Sequence, residues 1–190
     1  MQPEQRALLQ HYLQLLQRWN AVYNLTAVRN AAQMQLLHID DSLSVAEFIR
    51  GENCLDVGSG AGLPGIPLAI MQPQRHFTLL DTNGKKTRFM QQAILELGLK
   101  NVKVVQTRVE AWAAPTTFDA IISRAFASMA DFVNGTGMHL APDGTLYAMK
   151  GRYPQSELAE LPQGWRVTAQ HVLHIPGLDA ERHLLELQRD

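Results

Sequence analysis

The chain has 190 residues, of which 46% are hydrophobic and 18% are charged, and this balance predicts a folded globular protein and excludes intrinsic disorder. A single cysteine excludes an internal disulfide and a cysteine-based zinc site, and no apolar run reaches the roughly 20 residues that span a membrane. The formal net charge of −1 excludes bulk attraction to nucleic acid, so any RNA contact has to rely on a local basic surface. We expect a cytoplasmic monomer without a bound metal or a membrane contact.

Residues 1–50 are predicted to form an N-terminal helical cap. Apolar side chains recur at helical spacing from about residue 4 to residue 20, and a second helix is predicted over about 31–49. His38, Asp40 and Asp41 fall within one turn of that second helix, where we expect a solvated or locally hydrogen-bonded face. Residues 51–190 are predicted to form a Rossmann-like core, so that 1–190 make one domain.

The segment Asp56–Pro67 is the centre of the chain, because it predicts a strand end, a glycine loop and a helix start. Its glycines at alternate positions allow a sharp turn and a close approach of a ligand. These glycines are Gly58, Gly60 and Gly62. Gly65 is followed by Ile66 where a phosphate-binding loop of ATPases carries lysine, and Leu63 occupies the position of the third glycine of a dinucleotide loop.

This spacing favours the S-adenosylmethionine (SAM) loop of Rossmann-like methyltransferases, although a glycine-rich turn without a ligand remains the alternative. Asp81 supports the first interpretation, because it ends a predicted strand at 76–81 and lies 23 residues after Gly58. An acid about 20 residues after such a loop binds ribose hydroxyls. Asp81 could equally cap the following helix, and both roles are compatible.

The rest of the chain alternates strands with helices, which predicts a mostly parallel, doubly wound α/β sheet. Helices are predicted at 64–71, 84–97, near 128–140 and at 156–161, with Gly98 ending the second of them. Further strands are predicted at 102–106, 118–123 and 145–150, the last after a turn at Pro142–Gly144. Two antiparallel strands at 167–175 and 183–188 are expected to close the sheet.

Ligands of such sheets bind at the carboxyl ends of the strands, and two more strands end there in chemically informative residues. Arg108, Val109 and Glu110 follow the third strand, where Val109 suits an adenine ring and Glu110 its polar edge. Glu110 could instead be an acid that stabilises a helix N-terminus. Arg124 follows the fourth strand directly, at the brim of the cleft, where an arginine favours a functional role.

The absence of two known motifs narrows the range of atoms that this enzyme class could methylate here. The loop after the fourth strand, Ser123–Phe126, lacks the Asn/Asp-Pro-Pro-aromatic pattern that is frequent in enzymes methylating exocyclic amines. Methylation of a pyrimidine carbon needs a cysteine nucleophile, and Cys54 lies at the buried start of a strand. A nucleophile with a free lone pair and no proton fits best. Guanine N7 is such an atom, and it needs positioning more than a base.

From Trp19 to Leu187 the chain resembles the RsmG (GidB) family, the bacterial methyltransferases of small-subunit ribosomal RNA that modify guanine N7. The resemblance rests on the motifs Trp19-Asn20, Asn24-Leu25-Thr26, His38 with Asp41-Ser42, Asp56–Pro67, Leu79-Leu80-Asp81, Arg108-Val109-Glu110, Ser123–Ser128, Ala148–Gly151 and Glu181–Leu184. The combination is highly specific, although the glycine loop alone is not.

The resemblance implies SAM as the methyl donor and a guanine N7 in the 530 loop of 16S ribosomal RNA as the target. We expect this RNA to be bound within a ribosomal particle, although the sequence leaves naked RNA and the mature subunit as alternatives. It implies SAM contacts at Gly58, Leu63, Val109, Glu110 and Arg124, to which the loop and strand pattern adds Gly60 and Asp81. It also implies that Asn24, His38, Arg108 and Lys150 face the RNA, so that these four residues and Arg124 position the substrate. The alternatives are a SAM-dependent enzyme acting on a small molecule and a SAM-binding regulator without transferase activity.

Overall fold

A computed structural model describes all 190 residues of the protein. Its helices are α1 (Pro3–Tyr23), α2 (Ala31–Met34), α3 (Asp41–Leu43), α4 (Gly65–Met71), α5 (Gly84–Leu97), α6 (Met129–Thr136) and α7 (Gln155–Leu158). Its strands are β1 (Asn53–Val57), β2 (His76–Asp81), β3 (Val102–Gln106), β4 (Phe118–Ser123), β5 (Leu140–Lys150), β6 (Trp165–Val172) and β7 (His183–Arg189). A π-helical segment, Gln35–Asp40, connects α2 to α3, and short 3₁₀ turns cover Val109–Ala111 and Gly137–His139.

The strands form one seven-stranded sheet in the order β3-β2-β1-β4-β5-β7-β6. Strands β1 to β5 pair in parallel, and β7 pairs antiparallel with both β5 and β6. The order reverses at β1, so β1 and β4 diverge at the point where ligands of open α/β sheets bind. The predicted doubly wound sheet with an antiparallel closing strand is confirmed.

Alternating side chains of the strands bury two apolar layers, one on each face of the sheet. On one face, residues such as Cys54 and Phe77 pack with the cap and with helices α4 and α5. On the other face, residues such as Leu55 and Ile121 pack with α6. Because the side chains of a strand alternate between faces, the short apolar runs of β1 and β4 supply both layers. None of the helices combines the length and the apolar character that crossing a membrane requires.

The predicted second helix is interrupted in the structure. Its residues form α2, the π-helical segment Gln35–Asp40 and α3, and the helix ends at Leu43 rather than at about 49. Asn30 caps its start by accepting a hydrogen bond from the amide of Gln33. A π-helical turn holds one residue more than an α-helical turn and is frequent at functional sites.

The predicted turn at Pro142–Gly144 is wrong. Strand β5 begins at Leu140, and the three residues form an irregularity inside it, at which the pairing with β4 jumps from Phe118–Leu140 to Ala120–Thr145. Proline and glycine indicate a break in regular pairing, which here is a bulge rather than a chain reversal. The helix predicted near 128–140 is correspondingly shorter, because α6 ends at Thr136 and a 3₁₀ turn follows.

Candidate functional site

The glycine loop between β1 and α4 is shaped by backbone conformations that only glycine adopts easily. Gly58, Gly60 and Gly62 have φ values of 72°, 60° and 90°, which place all three in the left-handed region. A Cβ on Gly58 would lie 2.5 Å from the Cβ of Ala125, and a Cβ on Gly62 would overlap the side chain of Ile66. The loop therefore needs glycine both for its turns and for its close packing against the β4–α6 connection.

Asp56 supports this loop from below. It is fully buried, and its Oδ2 accepts a 2.9 Å hydrogen bond from the amide of Gly65 at the start of α4. Its Oδ1 has no hydrogen-bond partner. Burial raises the pKa of this carboxyl to about 7, against the opposing effect of the Gly65 amide. The hydroxyl of Tyr12 on α1 donates to the carbonyl of Ala61 at 2.7 Å, which ties the cap to the loop.

Asp81 joins the end of β2 to the glycine loop. Its Oδ2 accepts a 2.8 Å hydrogen bond from the amide of Gly60, and its Oδ1 accepts one of 2.8 Å from the amide of Asn83. The cap of α5 is Asn83, which accepts from the amides of Lys85 and Lys86, so the alternative of Asp81 as the helix cap is wrong. Each oxygen of a carboxylate has a second lone pair, and both remain available to a ligand.

A first cavity, which we call the glutamate cavity, has a volume of about 190 Å³ beside Asp81. Its lining includes Gly58, Asp81, Arg108, Val109 and Glu110. Val109 is buried and presents an apolar wall, whereas the side chains of Arg108 and Glu110 are on the exposed rim. Glu110 lies in the 3₁₀ turn Val109–Ala111. An apolar wall between a carboxylate pair and a glycine loop suits an adenosine.

A second cavity, the histidine cavity, has a volume of about 370 Å³ and lies on the other side of Gly58. It is lined by Thr26 and His38 of the cap, by the loop from Gly58 to Leu63, and by Arg124. His38 Nε2 lies 2.9 Å from the hydroxyl of Thr26, and its Nδ1 has no partner. Burial lowers the pKa of His38, so its ring is neutral at pH 7.

A third cavity, the arginine cavity, adjoins the second through Arg124 and has a volume of about 360 Å³. Arg124 Nη1 donates to Asp41 Oδ2 at 2.7 Å, and Arg182 Nε donates to Asp41 Oδ1 at 2.8 Å. Lys150 Nζ lies 2.7 Å from Glu157 Oε2. The buried Asp41 thus connects the cap, the β4–α6 connection and the segment before β7.

The expectation that His38 and Asp41 lie on a solvated or locally bonded face is wrong. Their relative exposures are 6% and 4%. The partners of Asp41 come from distant parts of the chain, since Arg124 and Arg182 lie 83 and 141 residues after it, and the ring of His38 contacts Thr26, 12 residues before it. Only Asp40 matches the expectation, through a 2.8 Å bond between its Oδ1 and the side-chain amide of Gln35.

Comparison with known proteins identifies the family. The family model described as "rRNA small subunit methyltransferase G" matches residues 5–185. The chain belongs to this family. The ribosomal RNA small subunit methyltransferase G of Stutzerimonas stutzeri is 55% identical over 188 residues, which cover 97% of this chain and 87% of the relative. The corresponding protein of Hydrogenovibrio crunogenus is 53% identical over 178 residues, covering 94% of this chain and 82% of the relative.

Solved structures show the same fold in more distant enzymes. The glycopeptide N-methyltransferase MtfA, complexed with S-adenosyl-L-homocysteine, superposes with a TM-score of 0.66 at 14% identity, over 80% of this chain and 87% of that chain. At this identity the likeness shows the fold alone. The fold is the Rossmann-like one of SAM-dependent methyltransferases, as predicted.

The structure distributes the predicted site residues of this family member over the three cavities, with one exception. The predicted cofactor residues line the glutamate and histidine cavities: Gly58, Gly60, Leu63, Asp81, Val109, Glu110 and Arg124. Of the predicted RNA-facing residues, His38 lies in the histidine cavity, Lys150 in the arginine cavity and Arg108 in the glutamate cavity. Asn24 lines none of the three cavities and binds Arg29 with its side-chain oxygen at 2.7 Å.

Sequence reasoning missed two members of the site. The sequence places Arg182 only within a family motif, and it places Asp41 within a motif and on an expected solvated face, without a role in the site for either residue. The one available signal was their charge at positions next to the apolar segments of the cap and of β7. The site holds no cluster of three or more His, Cys, Asp or Glu side chains that could bind a metal ion, and neither does the rest of the chain.

Proposed function

We propose that the protein transfers a methyl group from S-adenosylmethionine to N7 of a guanine in the 530 loop of 16S ribosomal RNA. Membership of the family, together with relatives of 53% and 55% identity named as small-subunit rRNA methyltransferases, supports the substrate class. The observation that carries the proposal is the contact between the histidine and arginine cavities, because Arg124 lines both. A donor bound over the glycine loop would therefore face a basic cavity that can hold RNA.

The residues of the glutamate cavity fit S-adenosylmethionine. Gly58 lines this cavity with backbone atoms alone, so a ligand can lie directly on the loop. Asp81 keeps a free lone pair on each oxygen for the ribose hydroxyls, and Val109 and Glu110 offer an apolar wall and a polar rim for the adenine. When bound, the cofactor supplies an electrophilic methyl group on a sulfonium.

In the histidine cavity, Arg124 has two groups free for the donor's carboxylate. Its Nη1 binds Asp41, and the distance to the carbonyl of Leu37 is 3.5 Å, whereas Nη2 and Nε have no partner in the chain. Gly60 and Leu63 complete the wall of this cavity. We assign the amino-acid end of the cofactor to it, with the methyl group directed at the space between Gly58 and Arg124.

The proposal of guanine N7 is supported by the absence of a cysteine nucleophile at the site. Cys54 is the chain's one cysteine, it is buried in β1 away from the carboxyl edge, and burial raises the pKa of its thiol to about 12. It cannot act as the nucleophile that carbon methylation requires. A lone pair that carries no proton needs only to be held in line with the methyl group, which is the task of His38, Arg124 and Lys150. Arg108 would contact RNA from the rim of the glutamate cavity, and the exposed Asn24 would do so from outside the three cavities.

Methyl transfer from labelled S-adenosylmethionine to small ribosomal particles tests the proposal. The particles should come from cells that lack the enzyme, and the modified base should then be mapped. We expect one labelled guanine in the 530 loop, with the label on N7. A label at another base or atom would refute the assignment of the target, and transfer to small molecules alone would favour the alternative enzyme. Binding of S-adenosylmethionine without any transfer would favour the regulator.

A further inference from the structure

The arginine cavity contains a second guanidinium group, that of Arg182, which the proposed cofactor site does not use. Asp41 is buried and accepts from two guanidinium groups, so one carboxylate serves both Arg124 and Arg182. The half-buried side chains of Arg124 and Arg182 have exposures of 27% and 24%. Two partly desolvated cations on one anion leave one positive charge without a counter-charge.

The other charged side chains of the cavity do not supply that counter-charge. The ammonium group of Lys150 is already paired with Glu157 at 2.7 Å and also lies 3.3 Å from the carbonyl of Phe126. His183 makes its ring contact to the carbonyl of Gly151 at 3.2 Å. Arg124, Arg182 and Lys150, with the paired carboxylates Asp41 and Glu157, therefore carry one net positive charge, which matches one phosphodiester.

Arg182 is oriented to receive such a group. Its Nε is fixed on Asp41 and its Nη1 donates to the carbonyl of Glu181 at 2.8 Å, whereas its Nη2 has no partner in the chain. A guanidinium held at two of its nitrogens loses little further freedom when the third binds an anion. Because it lines a cavity of about 360 Å³, an RNA backbone can reach it.

The position of the cavity selects which phosphate would bind. Arg124 forms a shared wall with the histidine cavity, where the methyl donor is placed by the proposed function. A target base directed at that donor brings the phosphates of its own nucleotide to within one nucleotide's length. The arginine cavity is a basic space that adjoins the histidine cavity through Arg124.

We propose that the arginine cavity is a phosphate subsite for the RNA, in which Arg182, oriented by Asp41, binds the phosphodiester next to the target guanine. This inference rests on the proposed function for the identity of the RNA. Arg182 makes the phosphate contact itself, and Asp41 is a positioning residue. The competing role for Arg182 is purely structural, as a strap that holds Asp41 and, through it, Arg124.

The test compares Arg182→Gln with Arg166→Gln, a control that removes the same charge from an exposed site on β6, where the Arg166 side chain is 62% exposed. Binding to small ribosomal particles is measured over a range of salt concentrations with S-adenosylhomocysteine present, and cofactor affinity is measured by calorimetry. We expect Arg182→Gln to weaken particle binding about tenfold and to reduce the salt slope by about 0.7 to 0.9, the share of one phosphate. Cofactor affinity should stay within about twofold, and Arg166→Gln should match the wild type.

Particle binding and a salt slope equal to those of the wild type would overturn the subsite. An equal loss of cofactor affinity would also overturn it, because that result identifies Arg182 as a strap on Arg124. If Arg182→Gln fails to fold, Asp41→Asn/Arg182→Gln removes the buried charge together with its partner. Its particle binding, salt slope and cofactor affinity are then compared with those of Asp41→Asn alone, because Asp41 also holds Arg124. Because binding is measured without transfer, a failed mapping of the methylated base refutes the proposed function and leaves this result standing.

Discussion

At the scale of single residues, the site depends on side chains that make hydrogen bonds within the fold and still have hydrogen-bonding groups free for a ligand. Asp81 is the clearest case, because each of its oxygens accepts one backbone amide and keeps one lone pair. Arg124 is similar, with one nitrogen committed to Asp41 and two free. Such residues are already oriented before the ligand arrives, which lowers the entropic cost of binding.

The substitution Asp81→Ala should weaken binding of S-adenosylmethionine at least tenfold. It removes a pair of charge-assisted hydrogen bonds to the ribose, each worth roughly 1.5–3 kcal/mol at most, and it frees the amide of Gly60 in the loop. Calorimetry measures the affinity. Asp143→Ala, which removes an exposed acid in β5, is the charge-matched control. Unchanged affinity in Asp81→Ala would remove the ribose assignment.

Arg108 and Glu110 lie on the rim of the same cavity but are predicted to serve different ligands. Glu110→Ala should lower the affinity for S-adenosylmethionine, because the adenine loses a hydrogen-bond acceptor. Arg108→Ala should lower the rate of RNA methylation more than it lowers cofactor affinity, because its exposed side chain faces outward from the rim. Calorimetry measures the cofactor affinity of both variants, and a methylation assay measures their rates on RNA. The reverse pattern would show that the two roles are exchanged.

At the scale of elements, the β1–α4 unit combines a glycine loop with a buried carboxyl at the helix start. The Gly65 amide favours the charged form of Asp56, but burial outweighs it and raises the pKa to about 7 from a usual value of 3.8. The folded protein therefore binds this proton more tightly than the unfolded chain does. The stabilisation is fully present below pH 3.8 and is lost as pH rises through about 7.

Asp56→Asn should remove this pH dependence. Between about pH 4 and pH 7 the free energy of unfolding of the wild type should fall, from this group alone, by up to about 1.4 kcal/mol per pH unit. The asparagine variant keeps an acceptor for the Gly65 amide and cannot ionise. Urea unfolding at several pH values measures the free energy of unfolding of both proteins. The value for the variant should rise relative to that of the wild type as pH rises. A difference that stays constant with pH would contradict the raised pKa.

The elements also show what could be predicted from the sequence. Strands β2, β3 and β4 and helix α5 match their predicted bounds, because apolar periodicity and the cap residue Gly98 are local signals. The sequence predicts a turn at Pro142–Gly144 where the structure has a bulge, because the same residue types favour both. The buried environment of Asp41 could not be predicted, because its two partners are distant in sequence and meet it only after the sheet forms.

At the scale of the whole molecule, positive charge is concentrated in the arginine cavity and is balanced by negative charge elsewhere. The formal net charge is −1, yet the arginine cavity combines three cationic side chains with only two carboxylates, Asp41 and Glu157. A protein of this kind cannot attract RNA over long distances by its net charge. Recognition therefore depends on a small number of phosphate contacts near the site and on the shape of the folded RNA around the target.

This argument predicts that an isolated loop oligonucleotide is a poor substrate and that a ribosomal particle is a good one. The target guanine has to be unpaired or flipped, because a paired base hides N7 in the deep groove of an A-form helix. About three phosphate contacts would give a slope of log affinity against log salt between about −2 and −3. Methylation rates on both substrates, and particle binding over a range of salt concentrations, measure these quantities. Equal rates on oligonucleotide and particle, or a slope steeper than about −6, would show that extensive backbone contacts rather than shape direct the enzyme to its target.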